Sequence, residues 1–339
     1  MAAPGRKQTV VFREPPSVLS FSSIGGKNEA EGPLSKYFDE LRKDSYFGEK
    51  TYEKAESAMQ RIALARALEK GGITPADVDF VFAGDLLNQC ISSSFSLRGF
   101  EIPFFGLYGA CSTMGEGLSL AAALIAGGFA DCAAALTSSH FCTAERQYRT
   151  PMPYGSQRAP TSQWTVTGSG CCILTKTGGG PYIRAATCGK IADRGITDMN
   201  NMGAAMAPAA YSTLSAHFRN THTQPADYDL IVTGDLGRVG KRIVTDMFRA
   251  DGWNMEGVYD DCGALIFDAE RQDMHAGGSG CGCSASVLCG YILRGMRGNK
   301  WKKVLFAPTG ALMSPTSCCQ GESIPGICHA ITISNSKDD

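Results

Sequence analysis

Two hydrophobic periods alternate along this chain. From Tyr52 to Glu69, and again from Met206 to Asn220, apolar residues recur at steps of three and four, which predicts helices with one buried face. Each run is followed by a short apolar segment that predicts a strand, and the two segments are near copies. Ile73-Thr-Pro-Ala-Asp-Val-Asp-Phe-Val-Phe-Ala-Gly-Asp85 returns as Thr223-Gln-Pro-Ala-Asp-Tyr-Asp-Leu-Ile-Val-Thr-Gly-Asp235. A Pro-Ala-Asp turn thus leads into a strand that ends in Gly-Asp, as where a parallel strand delivers its carboxyl end to a crevice. Cys111 to Thr137 can likewise be laid over Cys281 to Ala307, each passing from a Gly-rich turn through a helix into a strand. This second match is looser, and two unrelated helix–strand units would show it too.

The pattern predicts two similar α/β halves, each of order strand, helix, strand, helix, strand, helix, strand, strand, with mostly parallel sheets covered by helices. The boundary falls near Gly178–Gly180, dividing residues 1–178 from 179–339. The first half carries a polar segment, 138–170, rich in Arg, Gln, Thr and Pro and too long for an ordinary connection; such loops are usually functional or interfacial.

Composition narrows the function classes. Lys plus Arg number 32 against 33 Asp plus Glu, a formal charge of -1, so nothing draws the chain to nucleic acid. Fourteen cysteines invite a disulfide reading, but that logic belongs to short secreted chains, and no apolar signal segment follows the polar start. They read as reduced thiols of an intracellular protein, and none of their spacings is that of a zinc site, so no intrinsic metal is expected. The longest apolar stretch, Leu118 to Ala130, is shorter than the ~20 residues of a spanning helix and reads as a buried helix.

Chemistry concentrates at Pro103-Phe-Phe-Gly-Leu-Tyr-Gly-Ala-Cys111-Ser-Thr-Met-Gly115, an apolar strand turning sharply into a helix. A thiol at a helix start meets free N–H groups and partial positive charge, which lower its pKa below ~8.5. The plainer alternative is a small buried side chain among fourteen like it.

The Gly-Ala-Cys111-Ser-Thr-Met-Gly115 segment and its Ala-rich helix resemble the nucleophile segment of the thiolase and ketoacyl-ACP synthase III superfamily. That resemblance implies an α/β thiolase-like fold, two βαβαβαββ halves stacked as five αβαβα layers, in a homodimer. It also implies an acylated cysteine aided by a His and an Asn, or a second His, from the C-terminal half. The matching His position falls on Gly234 or its neighbour Thr233, and the Asn position on Cys281. Losing one oxyanion donor commonly costs ~10²–10³ in rate. His140 or His275 could stand in, or could simply be hydrogen-bonded loop residues.

Further segments, among them Thr137-Ser-Ser-His-Phe-Cys-Thr-Ala-Glu-Arg-Gln-Tyr-Arg149, Tyr259-Asp-Asp-Cys-Gly263 and Ala276-Gly-Gly-Ser-Gly-Cys-Gly-Cys-Ser284, resemble one branch of the superfamily, the stage V sporulation AD proteins of endospore-forming bacteria. The branch implies a non-catalytic protein that binds dipicolinic acid or calcium dipicolinate. It would act in uptake of that compound into the forespore, at the spore inner membrane, with membrane proteins of the same operon. A thiolase-like acyltransferase or condensing enzyme using Cys111 is the alternative. Beyond Ca²⁺ carried by the ligand, no cofactor is implied.

Dipicolinate is a flat aromatic dianion, suited by planar cations, ring-flanking side chains and N–H donors. Candidates are Cys111, His140, Arg146, Arg149, Gln157, Arg158 and Cys281, with Tyr148, Tyr154 or Trp164 against the ring. The arginines could equally cross a dimer interface or pair with Glu145 and other carboxylates. Asp260 and Asp261 would repel a bare dianion but could complete an oxygen shell around Ca²⁺; otherwise they are a turn or a helix cap.

Overall fold

A computed structural model describes residues 8–148 and 158–338, and the candidates Arg149, Tyr154 and Gln157 lie outside these. The first amphipathic run forms the helix Tyr52–Gly71, its start capped by the Thr51 hydroxyl and its end by Gly72 in the left-handed region. Ala55, Met59, Ala63, Leu64 and Ala67 form its fully buried stripe. The second run forms the helix Met202–Thr221, which begins four residues before the apolar periodicity does. Its first turn is held by packing: a side chain at Gly203 would stand 2.5 Å from the Leu236 carbonyl, so helix 202–221 and helix Gly237–Ala250 meet backbone to backbone.

Both copies of the repeat fold alike. The Asp77 carboxylate accepts from the Thr74 N–H, and Asp227 from the Gln224 N–H, each at 2.8 Å. Single turns of 3₁₀ helix at Pro75–Asp77 and Pro225–Asp227 follow from these caps. Strands Phe80–Gly84 and Leu230–Thr233 then enter the sheets.

The strands lie in the spatial order 259–261, 230–233, 303–307, 330–334, 182–187, 17–25, 168–175, 132–139, 80–84, 104–106. The two groups of five join where Ser17 pairs with Tyr182. Each group is less parallel than the alternation of elements predicts. Strand 80–84 is parallel to 104–106 and 132–139, as 230–233 is to 259–261 and 303–307. Strands 168–175 and 330–334, which no helix precedes directly, return antiparallel.

Three cores divide five layers. Helix 52–71 packs on one face of the first sheet through Met59, Leu64 and Leu68. Helices Thr113–Ala126 and Cys281–Val287 share the core between the sheets, where Met114, Leu118 and Leu288 meet Val232, Phe306 and Ile331. Helices 202–221 and 237–250 cover the far face of the second sheet. The apolar stretch at Leu118 is therefore a buried central helix, and among the described residues no helix is long and apolar enough to cross a membrane.

Candidate functional site

Cys111 stands between strand Phe104–Gly106 and helix 113–126, in a single 3₁₀ turn, Ala110–Ser112. The turn is tight. Ala110 has φ 48°, a left-handed conformation that a residue with a Cβ adopts at a cost. Hydroxyls secure it: Ser112 Oγ donates to the Gly109 carbonyl and Thr113 Oγ1 to the Ala110 carbonyl, both at 2.6 Å. Strand Thr309–Ala311 closes over it, and Gly310 permits this, since a Cβ there would lie 2.5 Å from the Gly109 carbonyl oxygen.

The thiol is buried and lies beside the Asp235 carboxylate. The helix start was expected to lower its pKa; the structure does the reverse. Burial pushes the Cys111 thiol well up, and the nearby Asp235 carboxylate and Cys281 thiol push it further, while the Gly280 N–H opposes them weakly. Asp235 also accepts from Thr309 Oγ1 at 2.8 Å, and from Ser279 Oγ and the Gly280 N–H, both at 3.1 Å. Burial nevertheless carries its pKa up to about 6, against the pull of those donors.

The positions matching the superfamily's helpers are otherwise occupied. A Cβ at Gly234 would meet Pro308 Cα at 2.7 Å and the Thr309 nitrogen at 2.9 Å, so backbone fills the space of a histidine. Thr233 Oγ1 donates to Asp261 at 2.7 Å. Cys281 is fully buried, its Sγ 2.9 Å from the Ser138 carbonyl. The histidines are committed elsewhere. His140 Nε2 is bonded to the Ser45 carbonyl at 2.8 Å while its Nδ1 accepts from the Cys142 N–H. His275 spans the Ala159 carbonyl and Asp273. No imidazole lines the cavity beside Cys111 among the described residues.

That cavity, about 80 Å³, takes its walls from Ala110 and Cys111, from Glu145 and Tyr148 of helix Phe141–Tyr148, and from the methionines Met199, Met202 and Met313. The Tyr148 hydroxyl donates to the Leu86 carbonyl at 2.5 Å. Of the described ligand candidates, Cys111 and Tyr148 line it; the others stand apart. Arg146 pairs with Glu53. Arg158 bonds to Asp273 and lies 4.7 Å from the centre of the Trp164 ring, which is itself stacked on Phe141 at 3.8 Å. Asp260 pairs with Lys241 at 2.7 Å. Asp261 is fully buried, caps helix Cys262–Ile266 and also accepts from the Leu236 and Gly237 N–H groups, which makes it a cap and not a cavity group.

Asp235 was not among the candidates, although it was visible as the terminal residue of the repeat. Glu145 and the three methionines carried no pattern that could have marked them.

A family model described as Stage V sporulation protein AD matches residues 6–334. The Stage V sporulation protein AD of Bacillus subtilis (strain 168) is 45% identical over 325 residues, which cover 96% of this chain and 96% of that protein. Among solved structures, 3-oxoacyl-(acyl-carrier-protein) synthase III from Aquifex aeolicus VF5 superposes with a TM-score of 0.55 at 12% identity, covering 94% of this chain and 99% of that one. Cerulenin-bound OleA from Xanthomonas campestris gives 0.57 at 12% identity over 98% and 100%. At such identities the likeness is one of fold, and the fold is thiolase-like.

Proposed function

Because the chain belongs to the stage V sporulation protein AD family, sporulation proteins on a thiolase-like fold, we propose that it is a non-catalytic binding protein for dipicolinic acid in uptake into the forespore. One observation carries the reading. The superfamily's cysteine is kept at the mouth of a cavity, but its partner is a carboxylate that holds the thiol protonated, where acyl transfer needs a thiolate and an imidazole.

The cavity's described wall favours the calcium chelate over the bare dianion. Glu145 is in the wall and Asp235 stands behind Cys111, so a neutral 1:1 complex avoids the repulsion that two carboxylates would impose. Three of the cavity's wall residues are methionines, flexible side chains able to turn aside and adapt its shape to a flat ring. Delivery to the spore inner membrane falls, on this reading, to membrane proteins of the same operon. A second copy of the chain has a place at strand 104–106, an open sheet edge with Phe104, Phe105 and Tyr108 exposed.

Calorimetry with dipicolinate, with and without Ca²⁺, tests the proposal. We expect saturable binding that strengthens with Ca²⁺ and weakens in Tyr148→Ala; no saturable heat at millimolar ligand overturns it. Incubation with acyl-CoA donors and intact-mass analysis tests the enzymatic alternative, which requires an adduct that Cys111→Ala abolishes.

A further inference from the structure

The helix that begins at Cys281, close to Cys111, runs on through a π turn at Leu288–Ile292 to Arg297. It rises about 24 Å over that length, so its far end belongs to the opposite side of the molecule from the cavity. The chain there reads Arg294-Gly-Met-Arg-Gly-Asn-Lys-Trp-Lys-Lys303, five cations and no carboxylate. Arg297 to Lys300 is exposed throughout.

Aromatic rings hold these cations in place, and other segments add to them. The Lys300 ammonium donates to the Tyr291 hydroxyl at 2.6 Å and lies 4.2 Å from the centre of the Trp301 ring. Tyr291 packs on Trp301 and on Tyr37, with ring centres 5.1 and 4.8 Å apart, and Lys36 lies 5.2 Å from the Tyr37 centre. Arg297 and Lys70 share the Phe21 ring, at 4.6 and 4.9 Å. Arg297 Nη2 also donates to the Leu19 carbonyl at 2.7 Å.

Two carboxylates belong to this face. Asp39 is shared between Lys70 at 3.0 Å and Arg294 at 2.6 Å. Asp229, at the edge, accepts from the N–H groups of Lys302 and Lys303, and the Lys303 side chain turns away to the Tyr228 ring. With Lys302 the face therefore carries six cations against two carboxylates, +4 in a chain whose formal charge is -1. The helix ends at Gly71 and Arg297 bring about half a negative charge each, which leaves roughly +3. Neighbouring charges do not cancel this: Arg42 and Arg66 are balanced by Glu40 and Glu69, and the C-terminal Lys337 is held by Glu14 and Arg184.

We propose that this face docks directly on an anionic lipid surface, with Lys300 and Lys302 meeting lipid phosphates and the Trp301 and Tyr291 rings at headgroup level. A polypeptide finds less to hold here. Peptides are gripped along an open sheet edge or in a groove, and strands 17–25 and 303–307, which carry Leu19 and Lys303, are interior to the sheet. A layer of anionic headgroups needs no edge. The inference stands apart from the dipicolinate reading, because neither its residues nor its test involve the Cys111 cavity.

Cosedimentation of the full chain tests it, with vesicles of phosphatidylcholine alone and of equimolar phosphatidylcholine and phosphatidylglycerol, beside titration of fluorescein-labelled polyglutamate. We expect binding to the anionic vesicles only, lost at about 1 M salt, where the screening length falls to ~3 Å. Each Lys or Arg near such a surface is worth roughly fivefold, so Lys302→Gln should weaken binding roughly fivefold and Lys300→Gln with Lys302→Gln roughly twenty-five-fold. Arg242→Gln with Arg249→Gln removes the same charge from exposed positions of helix 237–250 and should leave binding nearly unchanged. Absence of binding, equal binding to phosphatidylcholine, equal losses in the two paired variants, or no loss in a lysine variant that melts like the parent overturns the proposal. Lysine-dependent binding of polyglutamate without binding to vesicles overturns it too, and identifies an acidic polypeptide as the occupant.

Discussion

The two copies of the repeat begin identically and end differently. Each opens with a Pro-Ala-Asp turn closed by the same carboxylate-to-backbone bond and runs up a buried strand to Gly-Asp. In the first copy, Asp85 accepts from the Leu87 N–H and from both the N–H and hydroxyl of Ser93. It belongs to a buried polar cluster in which Glu56 accepts from Ser138 and Thr143. In the second copy, Asp235 accepts from Thr309, Ser279 and the Gly280 N–H and stands beside the thiol of Cys111, which the other half supplies. One duplicated carboxylate closes a structural network and its twin stands beside Cys111. Duplication thus supplied the position, and the opposite half decided its use.

Four perturbations would break or sharpen this contrast. The largest effect should come from the glycine before each aspartate. A Cβ at Gly84 would stand 2.3 Å from the Leu107 carbonyl oxygen, and one at Gly234 2.7 Å from Pro308 Cα. Gly84→Ala and Gly234→Ala should each cost ~3 kcal/mol in urea unfolding, and Gly234→His, which restores the superfamily's residue type, at least as much.

Next comes pH. Burial carries the Glu56 pKa from 4.5 to about 8, Asp261 to about 7 and Asp235 to about 6. A carboxyl with a raised folded-state pKa stabilises fully below its unfolded value, and that contribution is lost as pH rises through the folded value. Stability should therefore fall as pH rises from about 4 to about 8. Thermal melts should show a shallower decline in Glu56→Gln; an unchanged slope would mean the first copy's cluster is already ionised.

Asp235→Asn removes the charge beside the thiol, and iodoacetamide labelling of Cys111 at pH 8 should rise roughly tenfold for one unit of pKa. Asp85→Asn should leave that rate as it is. The smallest effect is also the symmetric one: Asp77→Ala and Asp227→Ala each remove a cap worth ~1 kcal/mol, and unequal losses would show that the turns are not equivalent.

Local patterns carried much of the architecture into the sequence. The helix at Tyr52, the two turns, the strands after them and the sharp turn at Cys111 were all legible, because periodicity and turn chemistry act between residues a few positions apart. Less was legible at the site. Asp260 and Asp261 read equally well as ligand groups or as a turn and cap, and only the approach of Lys241 and of the Leu236 and Gly237 N–H groups distinguishes these.

What the sequence by itself determined was the duplicated thiolase-like framework and the place of Cys111 within it. The tertiary structure alone decided that Asp235 would meet the thiol, that the backbone of Pro308 and Thr309 would fill the space beside Gly234, and that Arg146 and Arg158 would turn to Glu53 and Asp273. These contacts join residues far apart in the chain. Burial of a charge and exclusion of a side chain depend on what the rest of the molecule places there, which no local pattern records.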